Sequence, residues 1–277
     1  MPTKIVEGKA VKDVKQLYEM ADAHCHLDAI KDQSLIQDAI AHGIMTMVSN
    51  GVSFPTNKRT LEISDGKHIF PALGMDPQNA VQTPDDDLDS EIENNIKLIR
   101  DNRSRVVSIG EIGLDYLHAK DFNLVAKQRT VFERFIDLAT ELKLPVSVHS
   151  RDSLDDVMET LKAKDAQKVH LHFFEGNVQQ AKEAERLGYM ISIPPITSSK
   201  RSRIMKEVSI DNLMVESDSP AVGPTPKSVE LSVHMIAEAK MISVERAAEV
   251  LTMNTKRFFK INVRKPQSGA GIGFIRT

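Results

Sequence analysis

The sequence contains little cysteine, no tryptophan and few aromatic residues of any kind. Among its 277 residues there is one Cys and no Trp, and aromatic residues make up 5%. A single thiol excludes an intrachain disulfide and a cysteine-built zinc finger, so a reducing compartment suits the chain. Because aromatic rings are scarce, few side chains are available to stack on nucleic-acid bases. Any recognition of nucleic acid is expected to involve a short stretch of nucleotides and to centre on phosphate.

Long apolar runs and a large net charge are also absent. No apolar run approaches the ~20 residues of a membrane span, and residues 1–15 lack the apolar stretch of a secretory signal. The net charge is −3, whereas a protein that binds duplex DNA mainly through charge is normally far more basic. With 27% charged and 41% hydrophobic residues, the composition excludes intrinsic disorder. We therefore expect a soluble cytoplasmic protein that does not associate with membranes.

Short apolar segments alternate with helical segments along the chain, which predicts an α/β fold with parallel strands. The candidate strands lie near residues 19–24, 44–49, 69–74, 105–110, 145–149, 168–172, 189–193 and 213–216. Segments with helical periodicity cover residues 35–41, 88–100, 128–142, 154–162, 178–187, 200–208 and 228–239. Eight such strands at this spacing suit a (β/α)8 TIM-type barrel. An open doubly wound sheet is less consistent with the sequence, because the first strand ends in histidines instead of the Gly-rich turn that is typical of that fold.

A single domain is expected to occupy most of the chain. We place the barrel at residues 19–262, after an N-terminal extension over residues 1–18 and before a C-terminal tail over residues 263–277. The tail contains a Gly-rich run that resembles a dinucleotide-binding loop only in composition, because no helix can follow it.

Histidines and carboxylates are concentrated at the predicted strand ends, where barrel enzymes carry their catalytic residues. His24 and His26 are two residues apart in a strand, so both side chains point to the same side. The candidate metal ligands come from five strand ends: His24, His26, Glu111, His149, His172 and Asp218. Six groups are too many for one tetrahedral ion with an open position, and they suit two ions about 4 Å apart that share Glu111.

The donor types narrow the choice of metal. Mixed imidazole and carboxylate ligands favour Zn²⁺ or Mn²⁺, while Mg²⁺ prefers oxygen and water and is less favoured. A second His-x-His pair is formed by His170 and His172. We expect His172 to be the ligand and His170 to pack one layer deeper in the barrel.

Five motifs together resemble those of a known family. They cover residues 22–28, 110–116, 149–151, 172–176 and 216–220, in the order and spacing of the TatD-related DNase family. This family consists of metal-dependent hydrolases with an amidohydrolase-like barrel. The resemblance implies phosphodiester hydrolysis by a metal-activated water, with Asp218 and Glu111 as catalytic residues. It also implies one ion held by His24, His26, Glu111 and Asp218, and another held by Glu111, His149 and His172.

The resemblance implies DNA or another nucleic acid as the substrate, bound at single-stranded ends. Arg151 lies beside the ligands and is the best candidate for a phosphate contact. Lys200 and Arg201 open a helix on the catalytic face and are further candidates, unless they form only a solvated helix face. Asp76 replaces the His of the family's third-strand motif and is taken as a substrate-binding position. Asp76 and Glu175 are two additional acidic residues near the pocket, and both would repel phosphate.

Two other functions stay open at this point. The same ions could hydrolyse an acyl ester or amide, as in an aminoacyl-tRNA deacylase, with Asp76 and Glu175 binding an amino group. A non-catalytic binding protein on a retained barrel is the third possibility, although all six candidate ligands are present.

Overall fold

The computed structural model describes residues 18–261, and these residues form a parallel (β/α)8 barrel. The strands are β1 (Met20–Cys25), β2 (Ile44–Gly51), β3 (Ile69–Leu73), β4 (Ser108–Asp115), β5 (Val146–Arg151), β6 (Val169–Leu171), β7 (Met190–Ile193) and β8 (Leu213–Val215). They are arranged in chain order in one eight-stranded sheet. At the carboxyl ends, the N–H of Asp218 donates to His24 O at 3.0 Å and brings the two edges of the sheet together. The predicted single-domain barrel is confirmed.

The terminal segments predicted from the sequence fall mainly outside the described range. The tail over residues 263–277 lies outside it, as do all residues but the last of the extension over residues 1–18. The exact limits proposed for the barrel therefore stay a prediction.

The helices are α1 (Ser34–Ala41), α2 (Phe54–Ile63), α3 (Pro77–Gln82), α4 (Asp85–Asp101), α5 (Phe122–Leu142), α6 (Leu154–Ala163), α7 (Val178–Arg186), α8 (Ser199–Glu207), α9 (Val229–Lys240) and α10 (Val244–Phe258). Helices α2, α3 and α10 were not predicted. The buried face of α2 carries Asn57 and Thr60 beside Leu61, so it shows little apolar periodicity. Its start is instead fixed by a capping box between Ser53 and Thr56.

Strand β4 begins later than predicted, and it continues further because residues 112–115 pair with β5. Gly113 lies opposite His149 in this pairing and has a φ of 144°. A Cβ atom at this position would lie 2.1 Å from His149 O. Only glycine therefore permits this close approach of the two strands, which carry Glu111 and His149 side by side.

Away from the carboxyl ends of the strands, the interior of the barrel holds a small apolar cluster. Phe259 and Ile261, which follow α10, pack against interior residues of the strands: Ala23, Val48, Phe70, Ala72, Met190 and Met214. A larger apolar core lies between the sheet and the helices. Polar groups are thus concentrated at the opposite, carboxyl-terminal rim. No helix between residues 18 and 261 is long and apolar enough to cross a membrane.

Candidate metal centre

Glu111 is at the centre of the polar cluster at the rim, with two histidines on each of its carboxylate oxygens. Its Oε2 lies 3.3 Å from His24 Nε2 and 3.4 Å from His26 Nε2. Its Oε1 lies 2.9 Å from His149 Nδ1 and 3.1 Å from His172 Nε2. The four imidazoles come from or directly follow β1, β5 and β6, so the parallel strand ends bring together residues that are far apart in sequence.

Asp218 completes the cluster from the loop after β8. Its Oδ1 lies 3.4 Å from His26 Nε2 and 3.8 Å from His24 Nε2. Within the described range, three sets of donor atoms lie within 4.8 Å of one another: His24, His26 and Glu111; Glu111, His149 and His172; and His24, His172 and Asp218. Imidazole nitrogens and carboxylate oxygens at this spacing fit a divalent metal, and sets of three protein ligands leave positions open for water or substrate.

Most of the histidines in the cluster are oriented through their second ring nitrogen. His26 Nδ1 donates to Asn50 O at 2.9 Å, and His149 Nε2 lies 3.1 Å from Asp115 Oδ2. Such contacts fix the ring and the tautomer of a metal-binding histidine. They leave Nε2 of His26 and Nδ1 of His149 directed toward Glu111.

A buried polar chain runs beneath the cluster. Ser147 Oγ lies 3.4 Å from His24 Nδ1 and 3.2 Å from His170 Nδ1. His170 Nε2 lies 2.7 Å from Ser192 Oγ, which donates to Glu216 Oε2 at 2.5 Å. Both ring nitrogens of His170 are therefore occupied by serines, and the ring lies one layer below the ligand atoms. Sequence reasoning missed Ser147 and Ser192.

His172 differs from the other histidines because its Nδ1 is buried and has no hydrogen-bond partner within residues 18–261. The nearest carboxylate oxygen is Glu216 Oε2, at 3.8 Å. The His172 ring stacks on the His24 ring with centroids 3.9 Å apart and an angle of 8° between the planes. Burial raises the pKa of Glu216 to about 8.

Asp22 ties β1 to the loop that carries Asp218. Its Oδ1 accepts hydrogen bonds from the N–H groups of His24 and Ser217, at 3.2 and 2.9 Å, and its Oδ2 accepts one from Ser217 Oγ at 2.5 Å. Burial raises its pKa to about 7. Asp22 therefore fixes the relative positions of two neighbouring chain segments without pointing into the cluster.

The carboxylates of the cluster favour protonation of two of its histidines, His26 and His149, whereas burial lowers the pKa of His24 to about 4. Burial acts to lower the pKa of His26, but Asp218 and Glu111 outweigh it and raise that pKa to about 10. In the same way, Asp115 and Glu111 overcome burial and raise the pKa of His149 to about 10. Burial acts to raise the pKa of the Glu111 carboxyl, but His172, His149 and His24 outweigh it and hold that pKa well below its usual range. The carboxylates of the site therefore attract positive charge, and a divalent cation could take the place of the protons on His26 and His149.

Comparison with known proteins identifies the family. The model of the TatD related DNase family matches residues 21–260. The chain belongs to the TatD-related DNase family. One relative, named deoxyribonuclease TATDN3, from Homo sapiens, is 32% identical over 260 residues, covering 87% of this chain and 94% of that protein. The uncharacterized metal-dependent hydrolase YabD of Bacillus subtilis is also 32% identical over 260 residues, covering 87% and 99%.

A solved structure of the family has the same fold. The structure of YJJV, a TatD homolog from Escherichia coli K12, has a TM-score of 0.78 at 23% identity and covers 87% of this chain and 98% of that chain. The family resemblance inferred from the motifs is thus confirmed.

In this TatD-family protein the cluster opens into a cleft with two arms, and Arg151 lines both. The arm toward β6 and β8 has a volume of about 390 Å³, and the arm toward β1 and β3 about 360 Å³. The first is lined by Phe173, Glu175, Ala221 and Val222, besides candidate ligands. Within the described residues, the Arg151 guanidinium has no hydrogen-bond or ion-pair partner. It is therefore available to an anion in the cleft.

The other predicted substrate-binding residues are placed differently. Asp76 lines the second arm, but its Oδ1 caps α3 by accepting hydrogen bonds from the Asn79 N–H and Nδ2, both at 2.7 Å. Burial and Glu111 raise its pKa to about 6. Lys200 lies in a neighbouring cavity, and its Nζ donates to Glu175 O at 2.5 Å.

Arg201 does not line either arm of the cleft. It is only 7% exposed, since the register of α8 turns it inward with Ile204 and Met205. Its guanidinium lies over the Phe173 ring, 5.4 Å from the centroid. Arg201 therefore lies behind Phe173, and its expected contact with substrate stays a prediction.

Proposed function

We propose that this protein is a deoxyribonuclease that removes nucleotides from single-stranded DNA ends with the help of two divalent metal ions. The observation that carries the proposal is the position of Glu111, whose two oxygens each face a different pair of histidines. Membership of the TatD-related DNase family and a relative named as a deoxyribonuclease support the choice of reaction.

The six clustered side chains divide into two ligand sets around the shared carboxylate. His24, His26 and Asp218 would hold one ion with Glu111, and His149 and His172 would hold the other. Zn²⁺ and Mn²⁺ suit this mixture of nitrogen and oxygen donors best, and Mg²⁺ is the third candidate. When bound, the ions would lower the pKa of a water molecule and polarise the phosphoryl group.

The protein's own groups account for binding and proton transfer. Arg151, with its unpaired guanidinium between the two arms, would hold the non-bridging phosphate oxygens and stabilise the charge that develops on them. Asp218 borders the cleft and would accept the proton of the attacking water. Asp76 lines the wall of the second arm, and Lys200, which lines a neighbouring cavity, would contact the nucleic acid outside the two arms.

The depth of the cluster supports single-stranded ends as the substrate. The Glu111 and His172 side chains are only 7% and 4% exposed, so a scissile phosphate must enter the mouth of the barrel to reach them. Each arm has the volume of a pocket for a small ligand. A base-paired duplex presents its phosphates on a wide rigid surface, whereas an unpaired end can enter such an arm.

A cleavage assay tests the proposal directly. End-labelled single-stranded and blunt duplex DNA would be incubated with chelator-treated protein to which Mg²⁺, Mn²⁺ or Zn²⁺ is added. We expect progressive shortening of the single strand, slower cleavage of the duplex and no cleavage by Asp218→Ala. Elemental analysis should find two ions per chain. Equal activity of the wild type and Asp218→Ala would contradict the proposed site.

The acyl-hydrolase alternative gains no specific support from the structure. It named Asp76 and Glu175 as groups that could bind an amino group, and Oδ1 of Asp76 already caps α3. A panel of aminoacyl esters, assayed beside the DNA substrates, separates the two reactions. Turnover of the esters without cleavage of DNA would replace the proposed function.

A further inference from the structure

The first arm of the cleft contains an aromatic ring that phosphodiester hydrolysis does not itself require. Phe173 directly follows the candidate ligand His172, and the two ring centroids are 6.5 Å apart. Its ring lines the arm of about 390 Å³ together with Arg151, Ala221 and Val222. An apolar wall is thus placed next to the group expected to hold phosphate.

Phe173 is held in place through its backbone and through a contact on one face of its ring. Phe173 has a φ of 46°, which is unfavourable for a bulky residue and persists only where the surroundings hold it. Its N–H donates to the buried Glu216 Oε1 at 2.7 Å. The guanidinium of Arg201 lies over the ring, and Arg201 is itself held by a hydrogen bond to Ile196 O at 3.3 Å. Such a ring loses little conformational freedom when a ligand packs on it.

We propose that Phe173 is the stacking platform for the terminal base of the DNA substrate, with Arg201 as the residue that positions its ring. The inference rests on the proposed function and specifies how that site holds the terminal nucleotide. With the phosphate at Arg151, the attached base extends into the arm that Phe173 lines. Stacking accepts any base, because every base has a π-face, so this contact gives affinity without sequence preference.

A second phenylalanine on the same rim provides a matched control. Phe122, at the start of α5 after β4, is 84% exposed and lines neither arm of the cleft. It carries the same side chain as Phe173 but has none of the same support. Its replacement should not affect how the terminal base is held.

The experiment compares single-stranded oligonucleotides whose terminal nucleotide either carries a base or is abasic. Stacking of one base contributes about 1–3 kcal/mol, so the wild type should prefer the base-bearing end by about 5- to 150-fold in kcat/KM. Phe173→Leu keeps an apolar side chain but loses the ring, and the preference should fall to about threefold or less. Phe173→Tyr and Phe122→Leu should retain it.

A binding measurement with chelator-treated protein gives a readout that does not depend on cleavage. A terminal 2-aminopurine, whose fluorescence is quenched by stacking, should be quenched by the wild type and by Phe173→Tyr but not by Phe173→Leu. If Phe173→Leu does not fold, Arg201→Gln tests the same point, because a loosened ring should weaken both the quenching and the base preference.

Failure of this inference differs from failure of the proposed function. If the wild type cleaves DNA and Phe173→Leu keeps the full base preference, Phe173 is not the platform although the nuclease assignment stands. If the wild type cleaves neither substrate with any of the three metals, the proposed function fails and the inference falls with it.

Discussion

The two sides of Glu111 differ in how firmly their histidines are held. On the β1 side, His24 is fully buried and rests on Ser147, while Asp22 ties its strand to the loop of Asp218. On the β5 side, His149 contacts Asp115 at the edge of the cleft, but the buried Nδ1 of His172 has no hydrogen-bond partner among residues 18–261. Preorganised ligands bind a metal with less reorganisation. We therefore expect the β1 side to bind its ion more tightly than the β5 side.

Removing the group shared by both sides should have the largest effect. Glu111→Gln keeps the shape of the side chain but removes the charge, so affinity for both ions should fall. Loss of an outer-shell partner alone costs about 10–100-fold, so we expect activity to fall by more than about 100-fold. Metal titration and cleavage rates measure this. Retention of two tightly bound ions would argue against a shared carboxylate.

Removing one histidine from each side should separate the two sites. His26→Ala should empty chiefly the β1 side and His149→Ala chiefly the β5 side, so each variant should retain about one ion per chain. Elemental analysis after gel filtration gives the stoichiometry. The same loss of both ions in both variants would show that the two sides do not bind independently.

The raised pKa values predict proton release when metal binds. In the metal-free protein His26 and His149, each with a pKa of about 10, are protonated at neutral pH and must lose their protons to become ligands. Affinity should therefore fall as pH falls, by about tenfold per pH unit for each proton displaced. Calorimetry in buffers of different ionisation enthalpy counts the protons. Binding without proton release would contradict histidine ligation.

The same shifts predict how stability depends on pH. Because both pKa values lie above the ordinary value of 6.5, the stabilisation from these protonated histidines is complete below about pH 6.5. It is lost as pH rises toward 10. The Tm of chelator-treated protein should therefore decrease over this range, and added metal should reverse the decrease. A Tm that rises with pH in the metal-free protein would oppose this account.

The smallest effects should come from the residues behind the ligands. Asp115→Asn weakens the support of His149 and should lower metal affinity on that side about tenfold. Ser147→Ala removes a longer contact, 3.4 Å to His24 Nδ1, and should lower affinity on the β1 side by less. Isothermal titration of each variant measures the two sites. Equal effects of the two substitutions would remove the proposed difference between the sides.

The barrel and the clustering of the ligands could be predicted because both follow from local patterns. Parallel strands buried on two faces give continuous apolar runs, and their carboxyl ends meet at one rim. Helix α2 could not be found in this way, because it buries the polar side chains of Asn57 and Thr60. Its Ser-Phe-Pro start was the available signal, since a serine cap followed by proline is typical of a helix start.

The layer behind the ligands depends on contacts between strands that no single segment reveals. Ser147 precedes His149 by two residues and so faces the same side of β5, which was an available signal. Its contact with His24 and His170 depends on the stagger of the barrel strands, which the sequence does not encode locally. The orientation of Arg201 was also not evident from the sequence. Its place in the first turn of α8 suggested a phosphate contact, but the helix register directs the side chain behind Phe173.

The contact between Gly113 and His149 O affects how genetic data on this protein should be read. Any side chain at position 113 would push β5 away and displace His149 with it. A saturation scan scored only by enzymatic turnover would therefore rank Gly113 with the residues that bind metal, although it carries no functional group. Scoring protein abundance in parallel would separate such spacer positions from those that take part in the chemistry.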